Sequence, residues 1–213
     1  MNIIFLGAPG AGKGTQSEIV SNEYKIPAIS TGVLLREAIK AGSQLGKSAE
    51  SYVQAGGLVP DDVVIGIIKE RLGQADCANG YILDGFPRTV AQAKALDDMN
   101  VVIDLAISIE VADEEIANRM SGRRVCDTCG ASYHIEYKKP VTDGICDKDG
   151  TPLTQRADDK AEVVLERLAT YHEKTAPIKD YYQQKNKLAI VCGQQEVDDT
   201  TRLTKQTLVN AGF

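Results

Sequence analysis

A glycine-rich stretch at 7–15, GAPGAGKGT, carries the clearest chemical signal in the chain. It follows the apolar run IIFL at 3–6 and precedes a segment that can form a helix. Backbone N–H groups between closely spaced glycines, a helix N-terminus and the charge of Lys13 all favour an anion at this place. These features predict a phosphate-binding loop rather than a plain turn with a solvated lysine.

One position departs from the usual phosphate-loop pattern, G-x-x-x-x-G-K-[ST]. Gly14 stands where the pattern has Ser or Thr, and Thr15 follows one place later. Since that hydroxyl normally contacts Mg²⁺ beside a nucleotide, another group is needed near the metal. Asp84 is our candidate because it ends the apolar run YILD, and a second parallel strand would bring its carboxylate to the metal. The alternative is that Asp84 caps the helix that follows Pro87.

Arginines gather around the other motifs of this acidic chain. A single exposed arginine is usually solvated, but a group of them beside a phosphate loop indicates that several phosphates are clamped. Arg119 and Arg123 are four residues apart, so one helical face presents both if the helix extends that far. The candidates are Arg36, Arg88, Arg119, Arg123, Arg124, Arg156 and Arg167.

Three of the cysteines and one aspartate are spaced like the ligands of a zinc ribbon. Cys126, Cys129, Cys146 and Asp149 form the pattern C-x₂-C-x₁₆-C-x₂-D. The pattern predicts a structural Zn²⁺ site with no open position, because a carboxylate can take the place of the fourth thiolate. Reduced cysteines in a metal-free hairpin are the alternative. Asp127 or Asp147 could also replace Asp149, and His134 is a lesser candidate.

Composition narrows the class of protein. The 213 residues are 43% hydrophobic and 25% charged, with a net charge of −6. This acidity argues against a nucleic-acid or membrane binder, including a nucleic-acid-binding zinc ribbon. The chain shows no targeting signal, and its odd number of cysteines argues against a disulfide framework, so we expect a cytoplasmic protein. Nothing in the sequence demands more than a monomer.

Alternating apolar runs and helical segments predict a parallel sheet with helical crossovers. We expect strands at 2–7, 26–30, 80–84, 104–109 and 187–192, and helices at 15–24, 31–41, 61–73, 88–99, 112–120 and 159–184. Asp158 or Asp159 can cap the last helix, and Pro177 should kink or divide it. Two segments, 42–60 and 122–159, do not fit the alternation and are interpreted as insertions in the sheet core.

Five motifs together resemble the adenylate kinases, in particular the bacterial long-lid form with a zinc-binding lid. They are GAPGAGKGTQ, STGVLLREA, GYILDGFPRTVAQA, RMSGRRVC and QRADDKAEVVLERLATYHEKTAPI, and they are spread over essentially the whole chain. The resemblance implies an α/β fold of the P-loop NTPase type, with a five-stranded parallel sheet and helices on both faces. It also implies a core at 1–29, 60–121 and 160–213, an AMP-binding insertion at 30–59 and a lid at 122–159.

The implied activity is reversible transfer of the γ-phosphoryl group of Mg-ATP to AMP, giving two ADP, as the lid and the AMP-binding insertion close. ATP and AMP or ADP are then the partners, with Mg²⁺ and a structural Zn²⁺ as cofactors. In this family Mg²⁺ is expected to be held mainly by phosphates and water, with Asp84 reaching it through water. A kinase for another nucleoside monophosphate, or a nucleotide-binding module without turnover, remains an alternative.

The resemblance also assigns roles by position. The implied ATP-binding residues are Gly10, Ala11, Gly12, Lys13, Gly14, Thr15, Arg119, Arg123, Ser132, Tyr133 and Gln195. The implied AMP-binding residues are Thr31, Arg36, Gly57, Leu58, Val59, Gly85, Phe86, Pro87, Arg88, Gln92, Arg156 and Arg167. The implied catalytic set is Lys13, Asp84, Arg88, Arg123, Arg156 and Arg167. Gly57 stands where relatives often carry Lys, but its contact is made by the backbone.

Overall fold

The computed structural model describes all of residues 1–213, which form eight strands and nine α-helices. The strands are β1 (Asn2–Leu6), β2 (Ala28–Ser30), β3 (Tyr81–Asp84), β4 (Leu105–Glu110), β5 (Arg123–Cys126), β6 (Ser132–His134), β7 (Leu153–Thr154) and β8 (Leu188–Cys192). The helices are α1 (Lys13–Tyr24), α2 (Thr31–Lys40), α3 (Gln44–Gln54), α4 (Asp61–Leu72), α5 (Val90–Asp98), α6 (Asp113–Gly122), α7 (Ala161–Thr170), α8 (Ile178–Gln184) and α9 (Val197–Asn210).

The centre of the molecule is a five-stranded sheet in the order β2-β3-β1-β4-β8, and every strand pair in it is parallel. Neighbouring apolar residues of β1 face opposite sides: Ile4 packs into one buried cluster and Ile3 into another. A parallel sheet covered on both faces needs such near-continuous apolar strands. The predicted five-stranded fold with helices on both faces is therefore confirmed.

The helices divide between the two faces of the sheet. Residues of α2, α3, α4, α5 and α8 pack into one apolar cluster, and residues of α1, α6, α7 and α9 into the other. Because all five strands run in the same direction, their carboxyl ends meet at one edge, where loops carry functional side chains. The phosphate loop follows β1 at that edge, and Asp84 ends β3 beside it.

Two regions stand apart from the sheet. Helices α2 and α3 pack against each other between β2 and α4. Within the segment 122–159, strands β6-β5-β7 form a small antiparallel sheet. The sequence indicated only a partly helical stretch for α3, and it did not predict α9 or the lid strands.

The predicted helix over 159–184 needs correction. It is divided into α7 and α8 by a π-helical turn at Tyr171–Thr175, next to Pro177, which agrees with the expected division. Neither Asp158 nor Asp159 caps α7, because both lie in the preceding 3₁₀ turn and α7 has no side-chain cap. Their carboxylates instead pair with arginines, which stabilises charge in the cavity described below.

Candidate functional site

A cavity of about 630 Å³ opens at the carboxyl edge of the sheet. The phosphate loop and the start of α1 form its floor, and lid residues form the opposite wall. The charged residues that line it include Lys13, Asp84, Arg36, Arg88, Arg119, Arg123, Arg156 and Arg167. The topology thus brings together residues from distant parts of the sequence, and most of them are basic.

The phosphate loop has the backbone that anion binding requires. Gly10 and Gly12 have positive φ values of 80° and 101°, which side chains with a Cβ rarely adopt. Gly12 occupies the cap position of α1, and no side chain accepts a hydrogen bond from the first turn. The free N–H groups and the helix dipole therefore point at the cavity, ready for a phosphate oxygen.

Lys13 completes the floor of the cavity. Its Nζ donates to the carbonyl oxygens of Gly7 and Ala8, both at 2.8 Å. Burial lowers the pKa of Lys13 to about 8, and the positive charges of nearby arginines act in the same direction. A phosphate that reaches this ammonium group would restore the solvation that burial removes.

The arginines concentrate positive charge above the loop. Burial is the main cause that lowers the pKa of Arg156, to about 9, and the neighbouring Arg36 and Arg123 lower it further. Burial likewise lowers the pKa of Arg88 and of Arg167. A site that forces like charges together at this density has a strong preference for a polyanion.

Two aspartates offset part of this charge. Arg123 makes a two-pronged contact with the buried carboxylate of Asp159, one arm of it from Nε at 2.8 Å. Arg167 Nη1 donates to Asp158 Oδ2 at 2.6 Å. The sequence did not identify Asp158 and Asp159 as members of the site, although their place two and three residues after Arg156 in RADD was an available signal.

Asp84 lies against the phosphate loop. A Cβ atom added at Gly14 would lie 3.4 Å from Asp84 Oδ2, which is an ordinary van der Waals contact. The carboxylate therefore lies close to the backbone of the loop. Asp84 is not the cap of α5, because Thr89 occupies that position and its hydroxyl accepts from Gln92 N–H. Its placement agrees with a carboxylate oxygen directed at a metal ion, a ligand type that Mg²⁺ prefers.

A smaller cavity of about 50 Å³ adjoins the large one, and both share Arg36, Arg88 and Arg167. It lies between α2, the stretch 56–59 and the segment after β3. Its predicted residues are Thr31, Arg36, Gly57, Leu58, Val59, Gly85, Arg88 and Gln92. Phe86 is fully buried in the apolar core, and neither it nor Pro87 lines these two cavities.

The lid side of the large cavity contains Arg119, Ser132, Tyr133 and Gln195. Arg119 is held by Glu115 Oε1 at 3.0 Å and by the carbonyl of Gln194 at 2.7 Å. The expected shared helical face of Arg119 and Arg123 was wrong, because α6 ends at Gly122 and Arg123 begins β5. The two arginines reach the same cavity from a helix and a strand. Arg124 instead donates to backbone carbonyls, including that of Ser121.

The predicted zinc ligands come together in the lid. One donor atom from each of Cys126, Cys129, Cys146 and Asp149 lies within 4.8 Å of every other. Cys129 and Cys146 sulfurs are 3.5 Å apart, and Cys126 Sγ is 3.3 Å from Asp149 Oδ2. Zn–S bonds of about 2.3 Å and Zn–O bonds of about 2.1 Å in a tetrahedron require separations of this size. The donor set therefore fits Zn²⁺.

Comparison with known proteins identifies the group to which this site belongs. A model of the family described as adenylate kinase matches residues 5–187. An adenylate kinase of Archaeoglobus fulgidus is 54% identical over 202 residues, 93% of each chain. The chain belongs to the adenylate kinase family. An adenylate kinase of Acetivibrio thermocellus is 52% identical over 206 residues, 95% of each chain, and one of Bacillus subtilis is 50% identical over 212 residues, 98% of each chain.

Adenylate kinases are ATP:AMP phosphotransferases and use Mg²⁺ with ATP, so the predicted family and activity class are confirmed. Two adjoining cavities that share three arginines suit an adenylate kinase, since its two substrates must bring their phosphates together. None of the helices combines the length and the apolar character that crossing a bilayer requires.

Proposed function

We propose that this adenylate kinase family member transfers the γ-phosphoryl group of Mg-ATP to AMP and forms two ADP. One observation carries the proposal: Arg36, Arg88 and Arg167 line both cavities, at the place where two nucleotides would join phosphate to phosphate. Phosphoryl transfer needs positioning and positive charge on the moving group more than covalent help from the protein.

On the ATP side, the phosphate loop from Gly10 to Thr15 holds the phosphates through its backbone and Lys13. The free helix N-terminus and the two carbonyl contacts of Lys13 support this assignment, because the ammonium can exchange them for a phosphate. Mg²⁺ belongs to the bound ATP, and Asp84 is the carboxylate beside it. The lid supplies Arg123, Ser132 and Tyr133, and Arg119 and Gln195 lie beside the ATP base.

On the AMP side, Thr31 and Arg36 hold the nucleotide, the backbone at 57–59 lines the adenosine, and Gln92 faces the base. Gly85 and Arg88, which line both cavities, face the phosphate, and the buried Phe86 holds this segment in the core. Arg156 and Arg167 bridge the two nucleotides. The buried pairs of Arg123 with Asp159 and Arg167 with Asp158 support these roles, because such pairs fix the guanidinium groups before substrate arrives.

Closure excludes water from the reaction. We assign the AMP-binding insertion to 30–59, the lid to 122–159 and the core to 1–29, 60–121 and 160–213. The contact between lid Lys148 and core Glu18, at 2.6 Å, supports a closed arrangement in which the lid covers the phosphates. Closure of this kind prevents transfer of the phosphoryl group to water.

The activity is tested by measuring ADP formed from ATP and AMP. We expect turnover that requires Mg²⁺ and that is lost in Lys13→Met, whose side chain has similar length and no charge. GMP, CMP and UMP are assayed in parallel, and AMP should be preferred. Product no greater than that of the Lys13→Met control would exclude the transferase, and preference for another monophosphate would exclude the assignment to AMP.

We also propose that Cys126, Cys129, Cys146 and Asp149 bind one structural Zn²⁺. The full set of four donors leaves no coordination position for a substrate, so the ion would stabilise the lid rather than take part in the reaction. The absence of disulfides among the five cysteines agrees with thiolates that are available to a metal.

Titration of the thiols with a mercurial, in the presence of a zinc indicator, should release about one equivalent of zinc per chain. Metal analysis of the purified protein identifies the ion. Protein that lacks zinc and keeps its full thermal stability would contradict the structural role.

We further propose a cytoplasmic monomer. The reduced cysteines agree with a reducing compartment, and the acidic net charge agrees with a freely diffusing enzyme. Light scattering after size-exclusion chromatography tests the monomer, and a mass near twice 23.0 kDa would contradict it.

A further inference from the structure

The amide of Gln92 is held in one orientation by partners that can each play only one role. Its Oε1 accepts from the backbone N–H of Arg88 at 2.7 Å, and its Nε2 donates to Asp61 Oδ1 at 2.7 Å. A backbone N–H only donates and a carboxylate only accepts. In an inverted Gln92 amide, Nε2 would face the N–H group of Arg88 and Oε1 would face the carboxylate of Asp61. Neither pair can form a hydrogen bond, and Gln92 is only 2% exposed, so water cannot replace them.

Asp61 is fixed from two sides. It is the first residue of α4 and follows Val59 and Pro60, which connect it to the wall of the smaller cavity. Its second oxygen, Oδ2, accepts from Thr89 Oγ1 at 3.0 Å. The same Thr89 hydroxyl oxygen accepts from the backbone N–H of Gln92 at 3.1 Å. Asp61 thus holds the side chain of Gln92 directly and the first turn of α5 through Thr89. It does not itself line the smaller cavity.

The two contacts leave Gln92 with one unused lone pair on Oε1 and one unused hydrogen on Nε2. Gln92 lines the smaller cavity, so these are the polar groups that it can offer to a base there. Adenine presents an amino donor at position 6 next to a ring-nitrogen acceptor, which is the complement of an amide. A 6-oxopurine presents an acceptor at position 6, and the fixed amide cannot invert to match it.

We propose that Asp61 is a positioning residue that selects adenine over 6-oxopurines by fixing the orientation of the Gln92 amide. The proposal rests on the proposed function, in which Gln92 faces the base of AMP. It assigns to Asp61 a specificity that operates through another side chain rather than through contact with substrate.

The test compares kcat/KM for AMP with kcat/KM for IMP, which differs from AMP in carrying the 6-oxo group. In Asp61→Ala, water takes the place of the carboxylate beside Gln92 Nε2. Because water can both donate and accept, it no longer opposes inversion of the Gln92 amide at that end. We expect the AMP-to-IMP ratio to fall about tenfold, the size of a lost base-recognition pair. The KM for AMP should rise while kcat stays near that of the unaltered enzyme. Asp61→Asn can offer Gln92 either an oxygen or an N–H group, so it should keep only part of the ratio.

Asp62→Ala is the matched control. Asp62 is the next residue of the same helical turn and is exposed, so its loss removes the same charge near the N-terminus of α4 without touching Gln92. This variant should keep the AMP-to-IMP ratio. If Asp61→Ala does not fold, Asp61→Ser replaces it, because a hydroxyl group also either donates or accepts and serine is favourable at a helix start.

The outcomes separate this inference from the proposed function. An unaltered enzyme that forms no ADP from AMP would contradict the proposed function. An enzyme that phosphorylates AMP, but whose AMP-to-IMP ratio is the same in Asp61→Ala, Asp61→Ser and Asp62→Ala, would overturn the role of Asp61 alone. The ratio does not depend on the folded fraction, so lost stability cannot imitate the expected result.

Discussion

The parallel sheet and the lid are stabilised in different ways. Each face of the sheet is covered by a large apolar cluster, of 18 and 17 buried residues. The lid has a cluster of only four buried residues, two of them the candidate ligands Cys126 and Cys146. Hydrophobic burial can offset the conformational entropy that the sheet and its helices lose on folding, but the few buried residues of the lid cannot do the same. A metal at the four donors would supply the missing stabilisation.

The lid backbone is arranged around those donors. Gly130 N–H bonds to the carbonyl of Cys126 at 3.0 Å, and Gly150 N–H bonds to that of Cys146 at 2.9 Å. Both glycines have positive φ, 73° and 71°, so the two turns have the same form. Repetition of one turn at both pairs of candidate ligands agrees with the proposed metal site.

The largest expected effect is loss of a lid ligand. Cys146→Ser should abolish the proposed binding of zinc, because structural zinc sites contribute about 10–16 kcal/mol of apparent binding free energy that depends on all ligands. We expect the lid to be unfolded before heating while the sheet keeps its own cooperative transition, so that calorimetry shows one transition with a smaller unfolding enthalpy, and phosphoryl transfer is lost. Metal analysis and calorimetry measure both.

Cys192→Ser is the control for that variant, since Cys192 is an exposed thiol on β8, outside the lid. It should keep its zinc and its single transition. If Cys146→Ser loses the metal but keeps the full unfolding enthalpy and transition temperature of the unaltered protein, the lid is stabilised without a metal and the contrast with the sheet is wrong.

The next effect concerns the sheet. Ile107→Ala removes a fully buried side chain at the centre of β4, which should cost about 2–5 kcal/mol. Because the apolar clusters are shared by every core element, the whole core should unfold at a lower denaturant concentration while the zinc content of the folded protein stays the same. Denaturant titration with zinc analysis tests this, and a lower zinc content in the folded variant would contradict the separation of the two regions.

The contrast between the sheet and the lid also explains which features could be predicted from the sequence. The five strands and the phosphate loop were predictable because their signals are local: apolar runs such as that of β1 and the closely spaced glycines. The clustering of the four candidate zinc donors was predictable because their spacing along the chain is that of a known type of metal site. Asp61, Asp158 and Asp159 were missed as partners of functional side chains. The hydrogen bonds of Asp61 and Asp159 join residues that are distant along the chain, and Asp158 could be taken for an ordinary helix cap.

Helix α9 and the strand that begins at Arg123 were missed for another reason. The C-terminal helix buries mainly Thr200, Thr204 and Leu208, and two threonines give a weak apolar pattern. The helix predicted over 112–120 extends to Gly122, and pairing of β5 with the lid strands places Arg123 on a strand instead of on that helix. In both cases tertiary contacts decided the result, and the sequence pattern alone does not contain them.

Lys13 should give the floor of the cavity a measurable pH dependence. Burial lowers its pKa from 10.5 to about 8, so the free enzyme loses this positive charge as the pH rises through 8. We expect kcat/KM for ATP to decrease above pH 8, by up to about tenfold per pH unit, and ATP binding to take up a proton. Lys13→Arg, which stays charged, should show a flatter profile.

The pH dependence of folding stability that arises from Lys13 has the opposite sign. Between pH 8 and 10.5 the unfolded chain holds a proton at Lys13 that the folded enzyme has released, so the nucleotide-free protein should gain stability from this residue as the pH rises. Kinetic profiles from pH 7 to 9.5 and denaturant titrations at the same values measure both changes. A flat profile for kcat/KM would show that Lys13 is not the group that meets ATP.

The smallest effect tests an exposed contact between the two regions. Glu18 on α1 accepts from Lys148 at 2.6 Å and lies 3.8 Å from Lys138, and both lysines belong to the lid. Lys148 stands between the ligands Cys146 and Asp149, so the predicted ion would hold it in place. Because exposed ion pairs contribute about 0.2–1 kcal/mol, Glu18→Gln should raise the KM for ATP about two- to fivefold and reduce the closed fraction seen by fluorescence energy transfer.

Glu23→Gln is its matched control, since Glu23 lies on the same helix and pairs with Lys205 at 2.9 Å within the core. It should change neither KM nor closure, and high salt should reduce the difference between the two variants. Equal effects of both substitutions would mean that the lid does not dock through Glu18. A difference confined to Glu18→Gln would show that α1, which begins in the phosphate loop, helps to set where the lid closes, in addition to the pair of Arg167 with Asp158.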